Sequence, residues 1–279
     1  YPDIYVAWVA LLRRLVNAPQ YLVAPRGRAT RERLMESFTI EDLRANIIVS
    51  PARNLNHRFM IAEWLWVAFG RDDVETIARY NSQLRAFSDD GATFAGAYGP
   101  RINAQTCYVL ETLSRDPASR QAVMTIWKPA PAPSKDIPCT IALQFILRDG
   151  HLHVVVTMRS SDVILGIPYD VFTFSQLANA IAGELNVATG SLTMQLGSSH
   201  LYKENLDGAC AVIEEAHTMP RGVMRSTLLP GLPDRRLEPI LVEPSSRAGI
   251  DLGEIWGAYA DVLIDTRANA LSHLERIRR

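Results

Sequence analysis

The chain has 279 residues, 48% of them hydrophobic, with 29 Lys and Arg against 30 Asp and Glu for a formal net charge of -1. That length fits one large domain or two small ones with ample apolar material for a core, and the balanced charge excludes a global electrostatic footprint for nucleic acid. Cys107, Cys139 and Cys210 are odd in number and form no CxxC pair, which argues against a disulfide framework and a zinc site.

In chain order, the apolar opening from Tyr1 to Ala10 lacks a basic region before it and is punctuated by Pro2 and Asp3, so it is read as a helix and not a signal peptide. The missing initiator Met points to a chain that begins inside a longer product. Tyr5 to Val16 has helical spacing, and Tyr21 to Arg33, with Pro25, Gly27 and several arginines, is read as a loop. Ile47 to Ser50 is a short apolar run. His57 to Phe69 is apolar all round and stops at Gly70, which predicts a buried helix with a glycine C-terminus. Further helices are expected over Asp73 to Phe87 and Ile102 to Ser114, with a loop between Ser88 and Gly99.

Pro129 to Pro138 contains four prolines and can be neither helix nor central strand; it delivers the chain to Cys139. Thr140 to Arg148 and His151 to Met158 are β-rich runs joined by Asp149-Gly150, a strong hairpin signal. Helix is expected over Phe172 to Glu184, strand over Ser191 to Leu196, helix over Lys203 to Thr218, a short strand over Ile240 to Val242, and mostly helix from Leu252 to Arg279. No segment is apolar for long enough to cross a bilayer, so no membrane partner and a reducing, cytoplasmic setting are expected. The mixture predicts an α+β protein with a largely antiparallel sheet covered by helices, residues 1–279 forming one catalytic domain.

Taken singly, the polar residues have bland explanations: Cys139 as a small buried hydrophobe, Arg159 to Asp162 as a solvated strand end, Asp170 as a helix cap, His200 beside Tyr202 as a satisfied structural pair. Position lifts them. Cys139 opens a strand after a rigid loop, where a basic neighbour would supply the thiolate. Arg159 with Ser160 suits an anion, the guanidinium gripping phosphate oxygens in a fork.

In order and spacing, Pro138-Cys139, Gln144-Phe145, Arg159-Ser160-Ser161-Asp162, Gly166-Ile167-Pro168-Tyr169-Asp170 and Gly197 to Tyr202 resemble the thymidylate synthase family. Looser matches precede them: Arg26-Gly27, Glu63-Trp64-Leu65-Trp66 ending at Gly70, Ala97-Tyr98-Gly99, and Ser119-Arg120 through Trp127. The resemblance implies that a Cys139 thiolate adds to carbon 6 of a pyrimidine nucleoside monophosphate. Carbon 5 then attacks the methylene group of 5,10-methylenetetrahydrofolate. It further implies that Arg26, Arg159 and Ser160 hold the 5'-phosphate, with Arg120 entering from the partner of a homodimer with shared active sites. His200 and Tyr202 would bond the sugar hydroxyl. Glu63 would organise water for proton transfer, and Tyr98 would help remove the carbon-5 proton. Asp162 would bond the pterin, with Leu165 and Gly166 lining it. No metal and no stable nucleic-acid partner are expected.

Departures from the family pattern carry the finer reading. Synthases acting on dUMP carry Asn where this chain has Asp170; a carboxylate faces uracil O4 with like polarity but accepts from the cytosine amino group, with a proton shared at ring N3. Leu84, Phe87 and Phe94 stand where synthase tryptophans are expected, so water would reach the one-carbon unit. The paired inter-subunit arginines appear as Arg120-Gln121, with Lys128 and Lys135 as other candidates for the phosphate. The helical C-terminus does not match the family's closing tail. The expected activity is therefore cytidylate (CMP or dCMP) 5-hydroxymethylation, as in nucleoside-antibiotic biosynthesis or phage DNA modification. Alternatives are a cytidylate C5-methylase, a dUMP thymidylate synthase, or a non-catalytic nucleotide- or RNA-binding relative.

Overall fold

The computed structural model describes residues 1–218 and 222–277. Its first half runs α1 (Ile4–Asn17), β1 (Tyr21–Val23), β2 (Thr30–Ile40), β3 (Ile47–Ile48), α2 (His57–Ala68), α3 (Val74–Ala78), α4 (Tyr98–Arg115) and β4 (Val123–Thr125). Then follow β5 (Thr140–Arg148), β6 (His151–Met158), β7 (Ser161–Asp162), α5 (Ile167–Glu184), β8 (Ala188–Tyr202) and α6 (Leu206–Thr218). The chain closes with β9 (Val223–Met224), α7 (Leu237–Val242), α8 (Gly253–Ile264) and α9 (Ala270–Glu275).

One sheet has the order β1-β2-β8-β6-β5-β4, with β7 also paired to β8. The β1–β2, β2–β8, β4–β5 and β5–β6 pairs are antiparallel. The β6–β8 and β7–β8 pairs are parallel, and the first needs the α5 crossover that links its strands. The α+β, largely antiparallel expectation holds, with a parallel seam at the sheet's centre. Alternation does the rest: Leu143, Phe145, Val154, Val156, Leu192 and Met194 are buried on one face, while Gln144, Val155, Thr193 and Thr39 are half-buried on the other.

The α2 helix is apolar on nearly every side and is enclosed accordingly. Asn56 caps its start by accepting from Phe59 N at 3.0 Å. Gly70, with φ +75°, ends it in a left-handed turn, Gly70 N donating to Val67 O and Arg71 N to Trp66 O, both at 3.0 Å. On its outer side lie the C-terminal helices: the Trp64 ring sits 6.2 Å from Trp256 and 5.3 Å from Tyr259, and Arg58 donates to Leu263 O.

Several local expectations are corrected. Tyr21 to Arg33 is not a loop throughout; it holds β1 and the start of β2, an exposed edge hairpin whose charged residues hide the strand signal. Asp73 to Phe87 is not one helix but α3 followed by a 3-10 turn at Ser82–Phe87, because Asn81 caps the second piece by accepting from Gln83 N. Ile240 to Val242 lies in α7 and is no strand. The strand expected over Ser191 to Leu196 runs on to Tyr202, where β2 pairs with it. Residues 278–279 of the expected terminal helix lie outside the described residues. Among the described residues no helix is long and apolar enough to cross a membrane.

Candidate active site

Two backbone links bring the reactive cysteine to the arginine. Arg159 N donates to Cys139 O at 2.8 Å, and Ser198 N donates to Arg159 O at 3.1 Å, which ties the ends of β5, β6 and β8 together. A Cβ at Gly197 would sit 2.9 Å from Arg159 O, so glycine permits this approach. A register shift between Thr140 and Ala142 follows directly after Cys139, the kind of irregularity that re-aims a side chain at a strand end. The Arg159 guanidinium folds back over the strap before Cys139, donating to Pro138 O and Ile137 O, each at 2.9 Å. Its Nη2 stands 3.7 Å from Cys139 Sγ, and Ser160 Oγ stands 3.8 Å from it. Burial pushes the Cys139 thiol up; Arg159 and Ser160 pull it back toward the thiolate.

Glu63 and Asp170 meet because α2 and α5 are clipped at their N-terminal ends. Asn56 N donates to Tyr169 Oη at 3.1 Å, and Phe59 packs edge-on against the Tyr169 ring at 5.1 Å. Asp170 lies in the first turn of α5, whose N-cap is Gly166. The helix-cap explanation is thereby removed: the Asp170 carboxylate accepts from Ser161 Oγ at 3.4 Å. Burial raises Asp170 to about 7, and burial plus the neighbouring Asp170 raises Glu63 to about 8. The Tyr98 phenol, raised mainly by burial, accepts from Thr140 N at 3.3 Å, one residue from Cys139.

Cys139, Glu63, Tyr98 and Asp170 line one open cleft of ≈ 210 Å³. Its apolar wall includes Trp66, Leu84, Phe87, Phe94 and Phe174. A second group sits at the β7–β8 pairing, where Asp162 lies opposite His200. Asp162 Oδ1 accepts from Ile164 N and Leu165 N, both at 2.9 Å, while its Oδ2 is buried without a partner among the described residues. Burial raises the Asp162 carboxyl, opposed by those two amides and by His200. Leu165 is exposed beside it, and a Cβ at Gly166 would meet Asp162 O at 3.1 Å. His200 stands edge-on to Tyr202 at 5.2 Å. Arg26 and Arg120 are not brought to the cleft: both are exposed, Arg26 in the turn before β2 and Arg120 before β4, its carbonyl accepting from Gln144 Nε2 at 2.9 Å.

Several neighbours of the site are not marked out by the sequence. Ser161 bonds Asp170, Trp66 and Asp136 line the cleft, and the Arg28 guanidinium stacks 3.5 Å over the Tyr202 ring while bonding Glu204. Arg28 was legible in principle as an arginine beside Arg26; the others are set by tertiary contact.

Such a cleft can hold a flat ring against a thiolate, with carboxyls that carry protons near neutrality, and so suits nucleophilic addition with proton transfer. A profile of the family described as Thymidylate synthase matches residues 9–229. A Deoxyuridylate hydroxymethyltransferase of Bacillus phage SP01 is 32% identical over 204 residues, 66% of this chain and 53% of that protein. One of the same name from Pseudomonas phage M6 is 35% identical over 166 residues, 56% of this chain and 47% of that protein. The chain thus spans about half the length of these two phage relatives. A Putative thymidylate synthase of Methanothermobacter marburgensis is 27% identical over 221 residues, 76% of this chain and 96% of that protein. Among solved structures, thymidylate synthase from T4 phage matches with a TM-score of 0.63 at 21% identity, over 74% of this chain and 79% of that one, a likeness of fold.

Proposed function

The chain belongs to the thymidylate synthase family, and from that premise we propose that it hydroxymethylates carbon 5 of a cytidylate, CMP or dCMP, with 5,10-methylenetetrahydrofolate as co-substrate. The names of the two phage relatives favour hydroxymethyl transfer. The observation that carries the base assignment is Asp170: half-buried in the cleft, with its carboxyl raised to about 7. Its carboxyl accepts from the cytosine amino group and shares its proton with ring N3. Ring N3 of cytosine is a basic nitrogen, whereas O4 of uracil is a weakly basic carbonyl, so the shared proton strengthens the first pairing more. Proton sharing at N3 also draws electrons from the ring and eases addition at carbon 6.

Cys139 adds to carbon 6, helped by Arg159, which passes from the strap carbonyls to the 5'-phosphate together with Ser160, Arg26 and the partner's equivalent of Arg120. Glu63, protonated in good part at neutrality, relays protons at the carbon-4 edge, and Tyr98 assists removal of the carbon-5 proton. His200 and Tyr202 bond the sugar. The folate supplies a one-carbon unit at the oxidation level of formaldehyde. The chain's residues fit it: the unpartnered Asp162 Oδ2 is an acceptor for pterin N–H groups, with Leu165 and Gly166 beside it. The half-buried, uncharged ladder Gln144–Val155–Thr193–Thr39 supports a homodimer that buries this sheet face.

A second reading, hydroxymethylation of a uridylate, is favoured by the printed substrate of the phage relatives. Asp170→Asn separates the two. If Asp170 selects cytosine, the ratio of kcat/KM for cytidylate over uridylate drops in the variant by roughly 10- to 100-fold, the equivalent of a mismatched buried edge at about 1–3 kcal/mol. A wild-type protein that already prefers uridylate, with an unchanged ratio in Asp170→Asn, contradicts the cytidylate assignment.

A further inference from the structure

Three carboxyls line the cleft: Glu63, Asp170 and Asp136. The third has no part in the chemistry so far, yet it is built in with care. Asp136 sits in the proline-rich strap three residues before Cys139. Its own N donates to Ser134 Oγ at 2.9 Å, and its Oδ2 accepts from Gly96 N at 2.7 Å. A Cβ on Gly96 would lie 2.5 Å from Asp136 O and 2.9 Å from Oδ2, so only glycine lets the strap seat against that loop. Arg101 clamps the loop from behind, donating to Gly96 O at 2.7 Å and Ala95 O at 2.8 Å. One carboxylate oxygen is therefore fixed. The other, Oδ1, makes no hydrogen bond among the described residues and is not sealed in the interior.

The ring's placement says what faces this oxygen. In the proposed pose, with carbon 6 on Cys139 and the N3–amino edge on Asp170, carbon 5 lies between them, in the cleft whose apolar wall includes Leu84, Phe87 and Phe94. Asp136 lines the same cleft, close enough to Cys139 for its charge to oppose ionisation of the thiol. Burial raises the Asp136 carboxyl, which makes it a stronger proton acceptor than a free aspartate, and the Gly96 N–H and the Arg101 charge oppose that rise; Glu63, near 8, is a poor base at neutrality.

Resting on the hydroxymethylase reading, we infer that Asp136 is the general base that activates the water added to the one-carbon unit. Before this step carbon 5 carries an exocyclic methylene and carbon 6 is bonded to Cys139 Sγ. The water oxygen bonds the exocyclic carbon while Asp136 Oδ1 takes one of its protons. The π pair of the exocyclic double bond moves into the ring, and the carbon 5–carbon 6 double bond re-forms as the Cys139 thiolate departs. Asp136 then returns its proton to solvent. No hydride moves, and water is the sole added reactant.

The test uses the full chain and Asp136→Asn, which keeps an acceptor for Gly96 N. Both are given methylenetetrahydrofolate and carbon-5-tritiated CMP or dCMP in a single turnover. Tritium release reports the steps before hydration; mass spectrometry reports the hydroxymethyl nucleotide and any adduct left on Cys139. In Asp136→Asn, tritium release should stay within about threefold of wild type while product forms at least ~100-fold more slowly, the usual scale of general-base catalysis, and the Cys139 adduct should accumulate. Parallel loss of both signals, or loss of neither, overturns the assignment of Asp136 and leaves the hydroxymethylase reading standing. A wild-type product carrying methyl in place of hydroxymethyl overturns the hydroxymethylase reading, and this one with it.

Discussion

Burial holds the Asp170 carboxyl at about 7, against 3.8 for an unperturbed aspartate. Between those values the folded chain binds more protons there than the unfolded chain, so this group's contribution falls as pH rises from about 4 to about 7 and stays low above it. Asp170→Asn removes that penalty: the variant should gain stability over wild type above pH 7, on the order of 2–4 kcal/mol, and the gain should vanish near pH 4. Thermal denaturation of the two proteins across that range checks it; parallel curves would mean that Asp170 is not held proton-bound. At Cys139 the opposing influences are burial and Arg159. Arg159→Gln should slow alkylation of the thiol by iodoacetamide at neutral pH by roughly 3–10-fold. Cys139, Arg159 and Asp170 were legible in the sequence because they sit in contiguous motifs at strand ends and a helix start. Asp136 and Ser161 were not, because their meaning rests on Gly96 and Asp170 across space.

Elements were legible where local chemistry and packing agree. The β5–β6 hairpin follows from two alternating strands and an Asp149-Gly150 turn, with φ of 49° and 74° at its two central residues, as a type I' turn needs. Gly150→Val should cost about 1–2 kcal/mol by forcing a branched residue into left-handed backbone. It should leave kcat unchanged, since the turn lies a full strand, about 30 Å, from Cys139; scanning calorimetry beside steady-state rates tests both halves. The short α7 helix is hidden in the sequence because three apolar residues carry no usable periodicity. At the break between α3 and the following 3-10 turn, next to the Asn81 cap, the Tyr80 hydroxyl donates to Leu241 O at 2.9 Å, a contact made far along the chain. The C-terminal helices lie mostly beyond the family match at residue 229, yet α8 is fastened to α5 by Gln176 Nε2 donating to Tyr259 Oη at 2.6 Å. Tyr259→Phe strands that buried amide and should cost about 1–3 kcal/mol in urea unfolding.

For the whole molecule, Arg120, proposed to complete the partner's cleft, stands exposed on the sheet's β4 side. Val155→Arg would place a charge at the centre of the uncharged ladder, and sedimentation should then find monomers with activity lost in step. Mixing the inactive Cys139→Ser and Arg120→Ala proteins should recover activity, because a hybrid dimer carries one intact site; a mixture as inactive as its parts would count against a shared site. The proposed activity is the transfer of a hydroxymethyl group to a cytidylate. Its most direct measurement is mass spectrometry of the nucleotide after incubating wild-type protein with methylenetetrahydrofolate and CMP, dCMP, UMP or dUMP in turn, with Cys139→Ser as the blank. A gain of one CH2O unit on a cytidylate, absent in the blank, is the predicted result. A gain of CH2, or reaction on uridylates alone, would contradict it.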